Sequence, residues 1–176
     1  THDKEDRFVF IGRLGKQKQV DHLIKSYNQF LKYGHQTKLA IYGADEQNQK
    51  QVILDLVKEY QIEDKVDLND FTKHPLEEFK KSKASLLTSE YEGFGLTVME
   101  SIEVGCPVIA YDVRYGPGEI IEHGENGYLV EPDNIEAFAA YMDKMIKNPL
   151  TKVETKNALK YEQAKNNYQK LFEKIK

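Results

Sequence analysis

The sequence predicts an α/β domain, a parallel sheet of about six strands with helices on both faces. Two observations carry this. Short β-branched or aromatic runs, most of them closed by glycine or a polar turn, alternate with stretches in which apolar residues recur every three or four positions. The chain has 176 residues, 40% hydrophobic and 31% charged, which is enough for one buried core. It contains no internal repeat or low-complexity segment, so residues 1–176 read as one domain.

The elements follow in order. Arg7–Ile11 (RFVFI), closed by Gly12, is a first strand, and Val20, Leu23, Ile24, Tyr27, Phe30 and Leu31 then fall at helical spacing. Lys38–Tyr42 (KLAIY), closed by Gly43, is a second strand, and Val52, Ile53, Leu56, Val57 and Tyr60 repeat the helical period over 49–60. Residues 66–68 form a brief third strand. Pro75 suits the first turn of a helix over 76–83, because that turn's N–H has no helical partner. Ala84–Leu87 is a fourth strand, and the helix over 95–104 is stopped by Gly105 and Pro107. Val108–Tyr111 is a fifth strand, 117–122 a short helical turn and Gly127–Val130 a sixth strand. Pro132, Asp133 and Asn134 form an N-cap-like cluster before an amphipathic helix over 135–146, whose apolar side holds Phe138, Tyr141, Met142 and Met145. Asn148 and Pro149 end it, and a C-terminal helix is expected over about 154–175, within a segment 150–176.

Charge and cysteine usage exclude several classes. A net charge of −4 argues against a nucleic-acid protein, although residues 152–176 carry seven Lys against three Glu. A solvated helix face and a membrane-facing one explain that tail equally. With one cysteine, Cys106, no disulfide framework is possible within the chain, and a small buried thiol is the natural reading. No apolar run approaches about 18 residues and no signal peptide is recognisable. The chain starts at Thr1 and runs almost directly into a strand, which is expected of a fragment of a longer protein.

The stretch 88–105, TSEYEGFGLTVMESIEVG, holds the densest chemistry. It places Glu92 and Glu100 eight positions apart, around Gly93-Phe94-Gly95, where a strand gives way to a helix. Strand, glycine loop and helix N-terminus build an anion site, because first-turn amides are free and glycine lets the backbone approach a ligand. Carboxylates repel phosphate, so Glu92 and Glu100 should face hydroxyls. Leu96 and Thr97 lie four and three residues before Glu100, so Glu100 points back toward the first turn. A ribose with two hydroxyls would satisfy it.

Ligands of parallel sheets sit at the carboxyl ends of strands, and five loops fall there. They hold Gly12-Arg13, Gly43, Asn69-Asp70-Phe71, Glu92–Gly95 and Tyr115-Gly116-Pro117. Arg13, with Lys16 and Lys18 nearby, can neutralise a diphosphate. Tyr115 is either a turn residue or an edge of the pocket. The histidines, His2, His22, His35, His74 and His123, sit in polar or loop contexts with no nucleophile beside them; His74 is nearest the rim.

Phe10-Ile11-Gly12-Arg13 with Lys18, the block SEYEGFGLTVMESIEVGCPVIAYD at 89–112 and ENGYLVEPDN at 125–134 resemble the donor-binding, C-terminal half of retaining glycosyltransferases of the GT-B fold, family four. The resemblance covers nearly the whole chain and implies a Rossmann-like sheet. It implies that Arg13 and Lys18 bind the donor's diphosphate and stabilise the leaving group, with Glu92 at the transferred sugar and Glu100 on the ribose. It further implies that the backbone of Gly93, Phe94, Gly95, Leu96 and Thr97 grips phosphate and sugar, with Gly12 beside them, and that Asn69, Asp70 and Phe71 contact the base. Arg13, Lys18 and Glu92 are thus the expected catalytic residues.

YDVRYGPGEIIEHGENGYLV at 111–130, with Tyr115-Gly116-Pro117, is most similar to the subgroup of poly(glycerol-phosphate) and wall teichoic acid α-glucosyltransferases of Gram-positive bacteria. The implied activity is transfer of glucose or N-acetylglucosamine from a UDP-sugar to a cell-wall polymer. The polymer or protein acceptor would be read by an absent N-terminal half. The alternatives are a capsule or protein glycosyltransferase with the same donor site, and a non-catalytic partner module. No cofactor is expected, and no metal, since there is neither an Asp-x-Asp nor a His/carboxylate cluster with ligand spacing. A cytoplasmic place is implied, with peripheral association of the full-length protein at the inner face of the cell membrane. Two departures stand out: Gly43-Ala44-Asp45 lacks a second glycine, which weakens the case for phosphate contact by that loop, and Gly15-Lys16-Gln17-Lys18 replaces the pattern's Pro before Glu-Lys.

Overall fold

Six parallel strands lie in the order β3-β2-β1-β4-β5-β6 in the computed structural model. The structure describes residues 4–91, 95–113 and 117–155, and individual residues of the C-terminal stretch. The strands are β1 Arg7–Ile11, β2 Lys38–Tyr42, β3 Val66–Asn69, β4 Ala84–Leu87, β5 Val108–Tyr111 and β6 Gly127–Val130. The helices are α1 Val20–Leu31, α2 Gln49–Glu59, α3 Pro75–Lys80, α4 Leu96–Glu103, α5 Pro117–Ile120 and α6 Ile135–Lys147. Central β1 pairs with β2 over its whole length (Phe8 opposite Leu39, Phe10 opposite Ile41) and with β4 through Phe8 and Val9. Both its faces are covered, which is why Phe8–Ile11 is apolar at consecutive rather than alternate positions.

On one face Phe8, Phe10, Leu39 and Ile41 meet α1, which lies between α2 and α6. On the other, Val9, Ile11, Ala40 and Tyr42 pack with Phe79 of α3, Val104 and Cys106. Burial pushes the Cys106 thiol up to about 11, partly offset by a hydrogen bond with Ser101, so it is an inert core group. Helix α6 starts as the sequence predicts: Asn134 Oδ1 accepts from the Ala137 amide at 2.9 Å.

Helix α3 stops at Lys80, not at 83. Its last carbonyls are taken by side chains: Ser82 Oγ and Arg7 Nη2 donate to Glu78 O, and Lys4 Nζ donates to Lys80 O and Ser82 O. The Lys83 amide then donates to Arg7 O and leads into β4. Helix α5 ends at Ile120 rather than 122, because Asn126 Oδ1 captures the Glu122 amide at 2.8 Å. The expected C-terminal helix lies mostly outside the described residues; Glu154 and Thr155, at its expected start, are not helical, and the residues described beyond them, 162, 163, 166, 169, 170, 173 and 174, are helical and exposed. Among the described residues no helix is long and apolar enough to cross a membrane.

Two of the histidines combine a polar partner with an aromatic one. His35 stacks on Phe30 at 4.6 Å and bonds Asp143 at 2.6 Å. His22, on α1, meets the hydroxyl of buried Tyr111 at 3.0 Å.

Candidate functional site: the donor cleft

The chain reverses its direction of progress across the sheet between β1 and β4, and in such sheets the loops at that junction diverge and leave a crevice. The loops after β1 and β2 stay joined beyond the strands. The Gly12 amide donates to Tyr42 O at 3.0 Å and the Leu14 amide to Ala44 O at 2.9 Å. A Cβ on Gly43 would lie 1.8 Å from Gly12 O, so the backbone approach itself requires the glycine. Gly43 therefore has a packing role whether or not a ligand is present.

A cavity of about 420 Å³ opens at this junction. Its walls come from β1's exit (Ile11, Gly12, Arg13), β2's exit (Tyr42, Gly43, Ala44), the β3–α3 connection (Phe71, Thr72, Pro75) and α4 (Thr97, Glu100). Arg13 is mostly exposed, with 78% of its side chain accessible, and its guanidinium faces Glu46 at 3.5 Å. Opposite, Gly95 (φ 68°) opens α4 in the left-handed region, with no side-chain cap and no acidic residue in the first turn. Among the described residues, the first turn of that helix holds no acid that would meet its positive end. Burial, and then the charge of Glu103, hold the Glu100 carboxyl above its ordinary range. Phe71 is the most exposed large apolar residue at the rim, at 72%.

The structure brings together Gly12, Arg13, Phe71, Thr97 and Glu100. Lys18 does not line the cavity, but it stands beside it: a Cβ on Gly12 would be 3.8 Å from Lys18 Cε. Asn69 turns back on Asp67 O at 3.2 Å and Asp70 pairs with Lys50 at 3.1 Å, so neither lines the cavity. Leu96 lines a neighbouring cavity of about 530 Å³ that shares Pro75 and Glu100 with the first. Glu92, Gly93, Phe94, Tyr115 and Gly116 lie outside the described residues. Tyr42, Ala44, Thr72 and Pro75 were not singled out for the site from the sequence; the usable signal is that each lies at or soon after a strand's carboxyl end.

The walls are chemically graded, with a cation at one end, the first turn of α4 and a hydroxyl across from it, a carboxylate deeper in and an aromatic face at the mouth. That set matches an anionic ligand that also carries hydroxyls and a flat ring. Among the described residues, no group of three or more His, Cys, Asp or Glu could hold a metal ion.

The sequence profile described as "Glycosyl transferases group 1" matches residues 1–166. The chain belongs to this family. It is 34% identical over 143 residues, 81% of the chain and 21% of the relative, to the poly(glycerol-phosphate) alpha-glucosyltransferase of Bacillus subtilis. Its fold is that of GT-B glycosyltransferases. It superimposes with a TM-score of 0.79 and 32% identity, over 84% of the chain and 30% of the other, on a variant of Staphylococcus aureus TarM in complex with fondaparinux, α-GlcNAc-glycerol and UDP. A C-terminal domain of a glycosyl transferase group 1 protein (LpcC) from Francisella tularensis, crystallised by itself, matches with a TM-score of 0.74 and 25% identity, over 99% of the chain and 88% of the other. The chain spans less than half the length of the first curated relatives it matches.

Proposed function

We propose that this group 1 glycosyl transferase chain is the donor-binding domain of a retaining enzyme that moves glucose or N-acetylglucosamine from a UDP-sugar to a cell-wall polymer such as teichoic acid. The observation that carries it is the cavity at the β1/β4 junction, where Arg13, the uncapped start of α4 and Glu100 converge. The relatives supply the substrate class: the B. subtilis relative is named for transfer of glucose to poly(glycerol-phosphate), and the S. aureus neighbour was crystallised with UDP. The correspondence to a separately crystallised C-terminal domain supports reading 1–176 as a donor domain whose acceptor half lies elsewhere in a longer protein.

In this reading Glu100 accepts from the two ribose hydroxyls, which compensates a carboxylate that is partly desolvated and beside Glu103. Phe71 offers its face to the base. The diphosphate spans from the first turn of α4 to Arg13, with Lys18 reaching in past Gly12, and Glu92 orients the transferred sugar. As the bond from the anomeric carbon to the diphosphate breaks, negative charge grows on the departing oxygen. Arg13, Lys18 and the α4 amides are placed to stabilise it without a metal, each well-placed donor contributing about 3 kcal/mol. Closure against the acceptor half would exclude water before transfer.

A thermal-shift series with UDP, GDP, ADP and the corresponding sugar nucleotides tests this. UDP and UDP-sugars should raise the melting temperature in proportion to the logarithm of ligand concentration. No shift with any of them at millimolar concentration would refute donor binding, and a larger shift with GDP or ADP would reassign the base.

A further inference from the structure

Thr88, the first residue after β4, is fully buried and is tied to a turn some 70 positions away in sequence. Its hydroxyl is shared between Lys18 O at 3.1 Å and Gln19 O at 3.0 Å. Gln19 Nε2 donates back to Thr88 O at 3.0 Å, and the Glu90 amide donates to Gln17 O at 2.7 Å. The bonds therefore run in both directions between the turn carrying Lys18 and the stretch leading toward Glu92.

Local preference does not explain that turn. Residues Lys16–Lys18 form a single 3-10 turn, and Gln19, which ends it and starts α1, sits in the left-handed region at φ 47° and ψ 55°. A non-glycine residue is held there only when its surroundings fix it. The Gln19 side chain does not cap α1; it is spent on Thr88. Helix α1 is anchored independently, since Val20, Leu23 and Ile24 are fully buried. What the clasp determines is the path of residues 17–19, and with it where Lys18 stands beside Gly12.

We propose that Thr88 is a positioning residue that holds Lys18 in register with the donor's diphosphate, so that the phosphate-binding turn and the loop leading to Glu92 act as one unit. The proposal rests on the donor-site reading above. It makes Thr88 a determinant of phosphate affinity without contact to the ligand. Because the partners are backbone carbonyls, only the hydroxyl matters, and Ser should replace Thr while Val should not.

The test compares the 176-residue chain with its Thr88→Val and Thr88→Ser variants in titrations with UDP and with uridine, which lacks the phosphates, followed by NMR shifts. Thr88→Val should weaken UDP about tenfold and leave uridine within twofold, and Thr88→Ser should bind both as the parent does. Gln19→Ala, which removes the opposite half of the clasp, should show the same selective loss and serves if Thr88→Val fails to fold. Equal weakening of UDP and uridine, or unchanged UDP binding, overturns the proposal. A parent chain that binds neither ligand overturns the donor reading and this proposal with it, whereas a parent that binds UDP beside an unaffected Thr88→Val overturns only this one.

Discussion

Two arginines bracket β1, and they have opposite surroundings. Arg7, at its amino end, is buried; Nη2 bonds Glu78 Oε2 at 2.7 Å and Glu78 O at 3.0 Å, and Nε bonds Ser82 Oγ at 2.9 Å. Arg13, two residues past the carboxyl end, has one loose ion pair, to Glu46 at 3.5 Å. The first has its donors matched by fixed protein acceptors; the second presents most of its fork to solvent at the mouth of a cavity. A cation whose hydrogen bonds are completed by the fold belongs to stability, and one left incomplete at a crevice is available to a ligand.

The largest way to break this comparison is to remove Arg7. Arg7→Ala leaves Glu78, a half-buried residue of α3, with its main partner gone, and should cost about 2–3 kcal/mol in denaturant unfolding. A loss under about 1 kcal/mol would mean that the clamp does not hold α3. Arg13→Ala should do the reverse. Its ion pair is exposed, so stability should stay within about 0.5 kcal/mol of the parent. Losing a charge-assisted contact to phosphate should weaken UDP binding about 10- to 100-fold in calorimetry. If Arg13→Ala destabilises the fold as much as Arg7→Ala, the division between the two ends of β1 fails.

The sequence shows one of these two roles more readily than the other. Periodicity and glycine punctuation are local properties, so the strands and the starts of α1, α4 and α6 are legible, and so is the position of Gly12-Arg13 at a strand's exit. The Arg7–Glu78 clamp joins residues 71 positions apart, and nothing near either residue announces the other. The same holds for the early end of α3, which is set by Ser82, Arg7 and Lys4 rather than by a glycine or proline. Within the cleft, Thr97 and Glu100 follow from the helix period, whereas the direction of the Asp70 side chain depends on Lys50, twenty positions away, a pairing that a linear reading has no means to weigh.

The two regions also separate in pH, through their glutamates. Burial alone would raise the Glu78 carboxyl, but the Arg7 hydrogen bond, with Tyr42, Lys81 and the Arg7 charge, outweighs it and leaves Glu78 below its ordinary value of 4.5. Its contribution to stability is therefore complete above about 4.5, the unfolded value, and is lost only as pH falls through the lower folded value. Glu100 is shifted the other way, by burial first and Glu103 second. As pH falls through its raised value the free domain takes up a proton that relieves this cost, so Glu100 favours folding slightly on acidification. Ribose hydroxyls donate more strongly to the carboxylate than to the acid, so the same proton opposes the ligand. Uridine, which carries no titrating phosphate, should thus begin to lose affinity above 4.5 as pH falls through the raised Glu100 value, by up to about tenfold per pH unit, while the melting temperature holds. In Glu100→Gln the affinity should be lower at neutral pH and flat across that window. A parent profile as flat as that of Glu100→Gln would remove Glu100 from the ribose, and a melting temperature that fell together with affinity would show that acid acts on the clamp first and on the cleft only through it.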